Sequence, residues 1–225
     1  MPNHVISIIK MEGIKDLPLF EIEDGEMRFD FNKLIPMPES LNLDSGSIEE
    51  IAIEAALRND FRVSKMSDDV FADDIKRSRK TEEVLIKLGR QYISNKSLYG
   101  ATTWYDWRRS NWGTKWNAYD CVLDNEDDNT IMFQTAWSKP TPIIEKLAEL
   151  YPNKKIEHWW ADEDMGSNSG YCCYENGEVT GGFDVTKSNE AYKHYIMCWG
   201  ESNCLYQDED NNWKMHDCDN CSLCD

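Results

Sequence analysis

The order in which the apolar periods change along the chain constrains its fold more than any other feature. Residues 4–10 alternate and are rich in Val and Ile, as a half-buried strand requires, and Met27–Phe31 alternates again before the prolines of Leu34-Ile35-Pro36-Met37-Pro38. Helical spacing follows. Ser47 and Glu50 have the spacing of a capping box, and Ile48, Ile51, Ala52 and Ala55 predict a helix to about Arg58. Val84, Leu85, Leu88 and Tyr92 share a face of a second helix, predicted over Thr81–Ser94. From Asn117 the period returns to two: Ala118–Leu123, an acidic turn, then Thr130–Ala136, which together predict a hairpin. Thr141-Pro142 opens a helix that Pro152 stops, and Ile156–Ala161 reads as a strand. Asn176-Gly177 between Gly170–Glu175 and Glu178–Gly181 predicts a type I′ hairpin, because both central residues must accept positive φ. A last helix runs from Ser188 to Trp199, with Gly200 as its stop. This β-α-β-β-α-β order predicts an α+β fold. Its core is a ferredoxin-like split βαβ antiparallel sheet with helices on one face, an enlarged helical first crossover (45–110) and an extra C-terminal hairpin and helix. The expected organisation is one domain over 1–200 and an acidic, Cys-rich tail over 201–225.

With 225 residues, 40% of them hydrophobic, the chain can bury a substantial core. No run of 18 apolar residues exists, so no membrane association is expected. The N-terminus lacks a basic start and a long apolar stretch, so the expected location is the cytoplasm, where cysteines stay reduced or bind metal. There are 42 acidic against 24 basic side chains, a net charge of −18.

Three segments go beyond periodicity: Met1-Pro2-Asn3-His4-Val5, Asp30-Phe31-Asn32-Lys33-Leu34-Ile35-Pro36-Met37-Pro38, and Trp104-Tyr105-Asp106-Trp107 leading to Asn111-Trp112-Gly113-Thr114-Lys115-Trp116-Asn117. They resemble the YubB-like family carried by phages, plasmids and integrated elements. The resemblance continues through Phe133–Pro140, Leu147–Pro152 and Trp159–Gly170, and so covers about residues 1–200. It implies a ferredoxin-like C-terminal portion and a mobile-element origin. It carries no catalytic residues across, and residues 201–225 stand outside it.

Two constellations could carry chemistry. In the tail, Cys218, Cys221 and Cys224 with either Cys204 or His216 supply four donors for zinc or an iron–sulfur cluster. The competing account is a solvated tail with seven acids and one lysine. Residues 76–116 form a basic region of ten cations against three acids, with Trp104, Tyr105, Trp107, Trp112 and Trp116 interleaved. Cations beside aromatic faces suit a nucleotide or single-stranded nucleic acid, and Trp104, Arg108, Arg109, Asn111, Trp112 and Lys115 are the candidate ligand-binding set. Alternatively, the tryptophans belong to the core and the cations solvate a helix.

Other motifs fail. Asn111–Trp116 lacks the second glycine of a phosphate loop, and no acid cluster has the glycine and glutamate positions of a calcium loop. His4, His158 and His194 are scattered and read as structural. No catalytic residue is assigned. The expected function is that of a non-catalytic acidic binding protein of a phage or mobile element, inhibiting a host nucleic-acid-binding or defence protein. It would act through Asp124, Glu126, Asp127, Asp128, Asp162, Glu163 and Asp164. The alternative is a nucleotide or nucleic-acid binding or processing protein using residues 104–116.

Overall fold

The computed structural model describes residues 3–23, 25–123 and 127–217. In chain order the elements are β1 (His4–Met11), β2 (Phe20–Glu23), β3 (Glu26–Phe29), α1 (Ser47–Ala56), α2 (Asp68–Ser78), α3 (Glu82–Tyr99), α4 (Trp104–Asn111), β4 (Tyr119–Leu123) and β5 (Thr130–Ala136). There follow α5 (Thr141–Leu150), β6 (Ile156–Asp162), β7 (Ser169–Glu175), β8 (Glu178–Val185), α6 (Asn189–Trp199), β9 (Leu205–Gln207) and β10 (Trp213–Met215). They form two compact units, residues 1–36 with 111–225, and residues 37–110.

The first unit is built on a six-stranded antiparallel sheet of order β4-β5-β1-β6-β7-β8. Its first four strands have the ferredoxin-like arrangement: β1 lies at the centre, between the strand that ends the hairpin and the strand that follows α5. The β7–β8 hairpin extends the sheet. Its turn residues Asn176 and Gly177 have φ of 56° and 80°, as a type I′ turn demands.

Alternation along β1 assigns the two faces. Val5, Ser7, Ile9 and Met11 face the same way as Ile131, Phe133, His158 and Trp160, while Ile6 and Ile8 share the other face with Met132, Trp159 and Ala161. On the first face Phe133 meets Phe29 and Phe31 edge-on at 5.3 and 6.0 Å, and Trp112 closes on Phe31 at 5.7 Å. Helix α6 covers the second face, where Cys198 and Trp199 pack on Ile6, Ile8 and Ala161. The cover expected on one face is therefore joined by packing on the other: the central strands β1 and β6 are largely buried on both faces, while the edge strand β8 is exposed. The β2–β3 hairpin, of which the alternation of Met27–Phe31 marked only the second strand, and the β9–β10 hairpin, unmarked by period, complete this unit.

The second unit is helical. Its core is Ile51, Ala52, Ala55, Phe71, Leu85 and Tyr92, and α1 packs on α3 at Gly89. Ser47 is the first residue of α1, behind Gly46, and its side chain makes no cap bond, so the expected capping box does not form. Thr81 does cap α3, accepting from the Val84 amide, and α3 runs on to Tyr99 before Gly100 in the left-handed region ends it. Asn95, fully buried, has all its polar capacity met by Ser40, Gln91 and Thr102.

Candidate functional site

Four of the stretches that carry the family resemblance, far apart in sequence, meet at the end of the sheet where β1 begins. The Trp137 amide donates to the Asn3 carbonyl at 2.8 Å and the Glu163 amide to the His4 carbonyl at 2.8 Å, so the ends of β5 and β6 close around the start of β1. Thr114 ties the preceding segment to the same corner by donating to the Ala136 carbonyl at 2.7 Å and accepting from the Ala136 amide at 3.2 Å. Ser138 donates to the Gly113 carbonyl at 2.5 Å. Gly113 has φ of 80°, and a Cβ there would sit 2.8 Å from the Pro142 ring, so only glycine fits this crossing.

This frame presents an aromatic and charged cluster. The Lys115 ammonium lies 4.8 Å from the Trp116 ring centre and 4.9 Å from that of Trp137. Trp137 is 41% exposed and is held at φ 70°, a conformation that bulky residues rarely adopt. Trp116 contacts Tyr119 edge-on at 6.2 Å, and the Tyr119 hydroxyl lies 2.7 Å from His4 Nδ1. Burial first, then Asp120 and Glu163, push the Tyr119 phenol up to about 12, so it stays protonated as a hydrogen-bonding group. Glu163 accepts from the His4 amide at 3.0 Å, and the side chains of Glu163 and Asp164 stand in solvent beside this cluster.

Asp162 was expected on the binding surface, but it is 5% exposed. Its carboxylate accepts from the Asn3 amide group at 3.1 Å, the Asp164 backbone at 2.9 Å and the Asn168 amide group at 3.1 Å, so it organises the turn instead of meeting a partner. Asp127 and Asp128 lie at the opposite end of the sheet, beyond the other end of β1. Eight residues of strand separate the two acid clusters by about 23 Å, so they do not form one patch. Hydrogen bonds from the Asn129 amide first, then Thr130 and Lys10, hold Asp127 down to about 2, and Lys15 reaches Asp128 at 2.9 Å. Asp124 and Glu126 lie outside the described residues.

The candidate ligand-binding set is divided. Trp112 is fully buried and its indole N–H donates to the Ile35 carbonyl at 2.8 Å, so it is a core residue with no face for a ligand. Trp104, Arg108 and Arg109 lie on α4 in the helical unit, where Arg108 covers Trp104 at 5.1 Å and Arg109 covers Tyr105 at 5.4 Å. Asn111 ends that helix, half-buried. Lys115 alone of the set belongs to the sheet-end cluster. Its companions Trp137, Glu163 and His4 come from other segments; Glu163 stood in the expected acidic set, whereas Trp137 and His4 lay in stretches that the family resemblance marked.

His158, Cys121 and Cys198 are shut in. Burial first, then Lys139, drives the His158 imidazole down to about 3, and its Nε2 lies 3.0 Å from the buried Ser7 hydroxyl. Burial raises the Cys121 and Cys198 thiols to about 11 and 12, which keeps them as weak nucleophiles. Among the described residues no three His, Cys, Asp or Glu side chains gather as a metal-binding group. Cys204 and His216 do face each other across the β9–β10 hairpin, the His216 amide donating to the Cys204 carbonyl at 2.9 Å. Cys218, Cys221 and Cys224 lie outside the described residues. No helix among the described residues is long and apolar enough to cross a membrane.

Residues 111–219 match the family described as ferredoxin-like domain in Api92-like protein. The matched stretch spans β4 to β10. The central strand β1 comes from outside the matched stretch. Among solved structures, api92 from Yersinia pseudotuberculosis aligns at 11% identity with a TM-score of 0.40, over 82% of this chain and 98% of that one. No curated protein matches the sequence.

Proposed function

We propose that this chain is a non-catalytic binding protein of a phage or plasmid-type mobile element, and that its sheet unit engages a basic host protein. The observation that carries this reading is the partition of charge. Residues 1–36 and 111–225 hold 29 acidic against 12 basic side chains, a net of −17, whereas residues 37–110 hold 13 against 12. In the sheet unit Lys10, Lys15, Lys33, Lys139, Lys146, Lys154, Lys155, Lys193 and Lys214 each lie within salt-bridge distance of a carboxylate, so the surplus field is negative. A host nucleic-acid-binding or defence protein offers a cationic groove to such a surface. At the sheet end, Trp116 and Trp137 supply faces for an arginine or lysine of the partner, beside Glu163 and Asp164.

The test is affinity capture from the native host followed by mass spectrometry, with the E163Q/D164N variant in parallel. A basic protein retained by the parent and lost by the variant supports the reading. Equal retention by both, or no retained protein, contradicts it.

The sandwich of Lys115 between two indoles favours one other reading, a nucleotide or single-stranded nucleic acid stacking on Trp137 with its phosphate on Lys115. That reading requires salt-sensitive oligonucleotide binding and ligand-induced thermal stabilisation without any protein partner.

A further inference from the structure

We propose that β8, the open edge of the six-stranded sheet, is a docking site for an extended segment of a basic protein, which adds to the sheet as a further strand with apolar and cationic side chains alternating. β8 is eight residues long, every residue but Val185 is exposed, and among the described residues no strand other than β7 pairs with it. Its outward N–H and C=O groups form a row of donors and acceptors that a new strand can use. The other edge of the same sheet is protected. β4 has five residues, its register slips between Tyr119 and Val122, and the Phe29 amide at the end of β3 donates to Cys121 Sγ at 3.2 Å. β8 contains no lysine, arginine or proline to guard it, and its register shift falls beside the turn, so Gly181–Val185 pair regularly with β7. Its two successive glycines, Gly181 and Gly182, leave room for a second backbone to approach closely.

Cross-strand pairing sorts the side chains that such a segment would meet. Val179, Gly182 and Asp184 oppose Tyr174, Cys172 and Gly170 on the Trp160 face of the sheet, whereas Glu178, Gly181 and Phe183 oppose Glu175, Cys173 and Tyr171 on the α6 face. The first face is neutralised: Lys139 holds Asp184 at 2.7 Å and lies 3.2 Å from the centre of the buried Trp160 ring. Cys172 and Gly182 complete a groove of about 430 Å³ there, which accepts an aliphatic side chain.

The second face is acidic. Glu175 and Glu178 stand directly opposite each other at the hairpin end, both exposed, and like charges so placed repel. Phe183, 47% exposed, lies farther along the same face. A lysine or arginine of the added strand relieves the repulsion, and another covers the ring. A second copy of this chain does not suit the edge, because it sets these carboxylates against themselves. The strand gives the basic partner proposed above a contact apart from the sheet-end cluster, and a different acid pair reports on it, so either surface can fail alone.

The probe is a blocked peptide of alternating lysine and valine, matched in length to β8, together with its fully N-methylated counterpart, which keeps the charges but cannot donate a main-chain hydrogen bond. The parent should bind the first peptide about tenfold or more tightly than the second, and amide hydrogen exchange should slow over Gly181–Val185 only with the first. E175Q/E178Q should weaken binding and flatten its salt dependence while keeping or raising the parent's Tm, and E163Q/D164N should bind this peptide as the parent does. No binding of either peptide, equal binding of both, protection that spares β8, unchanged affinity in E175Q/E178Q, or a dimer of the parent that buries β8 without peptide would each overturn the proposal.

Discussion

Replacing Gly89 by alanine sets a helix-propensity gain against a steric clash, and the structure says which wins. A Cβ at residue 89 would lie 1.8 Å from the Ala52 carbonyl oxygen, 2.5 Å from its carbon and 2.8 Å from the Ala56 methyl. Because the first two obstacles are backbone, no rotamer change relieves them, and α1 must move about 1.5 Å away from α3 to restore van der Waals contact. That displacement loosens Ile51, Ala52 and Ala55 against Leu85 and Tyr92. Overpacking of this kind costs about 3 kcal/mol or more, while alanine in a helix interior returns about 1 kcal/mol. The net expectation is a loss of about 2 kcal/mol, or a fall of about 10 °C in the melting of a unit of this size. Urea unfolding followed by the helical circular dichroism signal reads it directly. Gly181→Ala is the control: nothing lies within 4 Å of that Cβ, so stability should hold or rise by a few tenths of a kcal/mol. If G89A equals or exceeds the parent in stability, the close crossing of α1 and α3 is wrong.

Acid should loosen the helical unit. Arg90 first, then Asn59, hold the Asp60 carboxyl down to about 2; at Glu54 burial opposes ionisation, but bonds from Ser64, the Lys65 amide and Arg58 outweigh it and lower its pKa. Both folded values lie below the unfolded ones, so their stabilisation is complete above about pH 5 and fades as pH falls toward 2. D60N should flatten the dependence of Tm on pH in this window, and identical parent and variant curves would contradict the assignment. W112F shrinks a fully buried indole to a phenyl ring, leaving a small cavity and stranding the Ile35 carbonyl, at a combined cost of about 2–4 kcal/mol in denaturant unfolding; an unchanged midpoint would return Trp112 to the list of ligand candidates. W137G relieves a left-handed backbone and should leave stability within about 1 kcal/mol of the parent while abolishing partner binding; unfolding instead would make the ring structural.

Local chemistry made much of the fold legible. Asn176-Gly177 could serve only a tight hairpin, Thr81 stood where a cap was needed, and the alternation of residues 4–10 marked the strand that became the centre of the sheet. What the sequence hid was set by tertiary partners. Ser47 lost its capping role because Gly46 occupies that position, and β2 has no alternation strong enough to announce it; it exists because β3 pairs with it. Helix α4 was masked by its aromatic content, which drew attention to ligands while Arg108 and Arg109 fold back on Trp104 and Tyr105 one turn away. The site was less legible still. Runs of acids look alike in sequence, yet Asp162 is interior, Asp127 is engaged by its own turn, and Glu163 and Asp164 are the exposed pair at the sheet end where β1 begins. Trp137 enters the cluster solely because the end of β5 lies against Asn3.

The most direct measurement compares charge removal at the two ends of the sheet. Binding of a fluorescent arginine-rich peptide is followed across a salt series for the parent, E163Q/D164N and D127N/D128N, which lose the same formal charge about 23 Å apart. The account predicts that E163Q/D164N binds more weakly with a shallower salt dependence, while D127N/D128N behaves as the parent does. Equal weakening by both pairs would mean diffuse attraction with no working end, and would contradict the assignment of the Trp116–Trp137 corner as the surface that meets a partner.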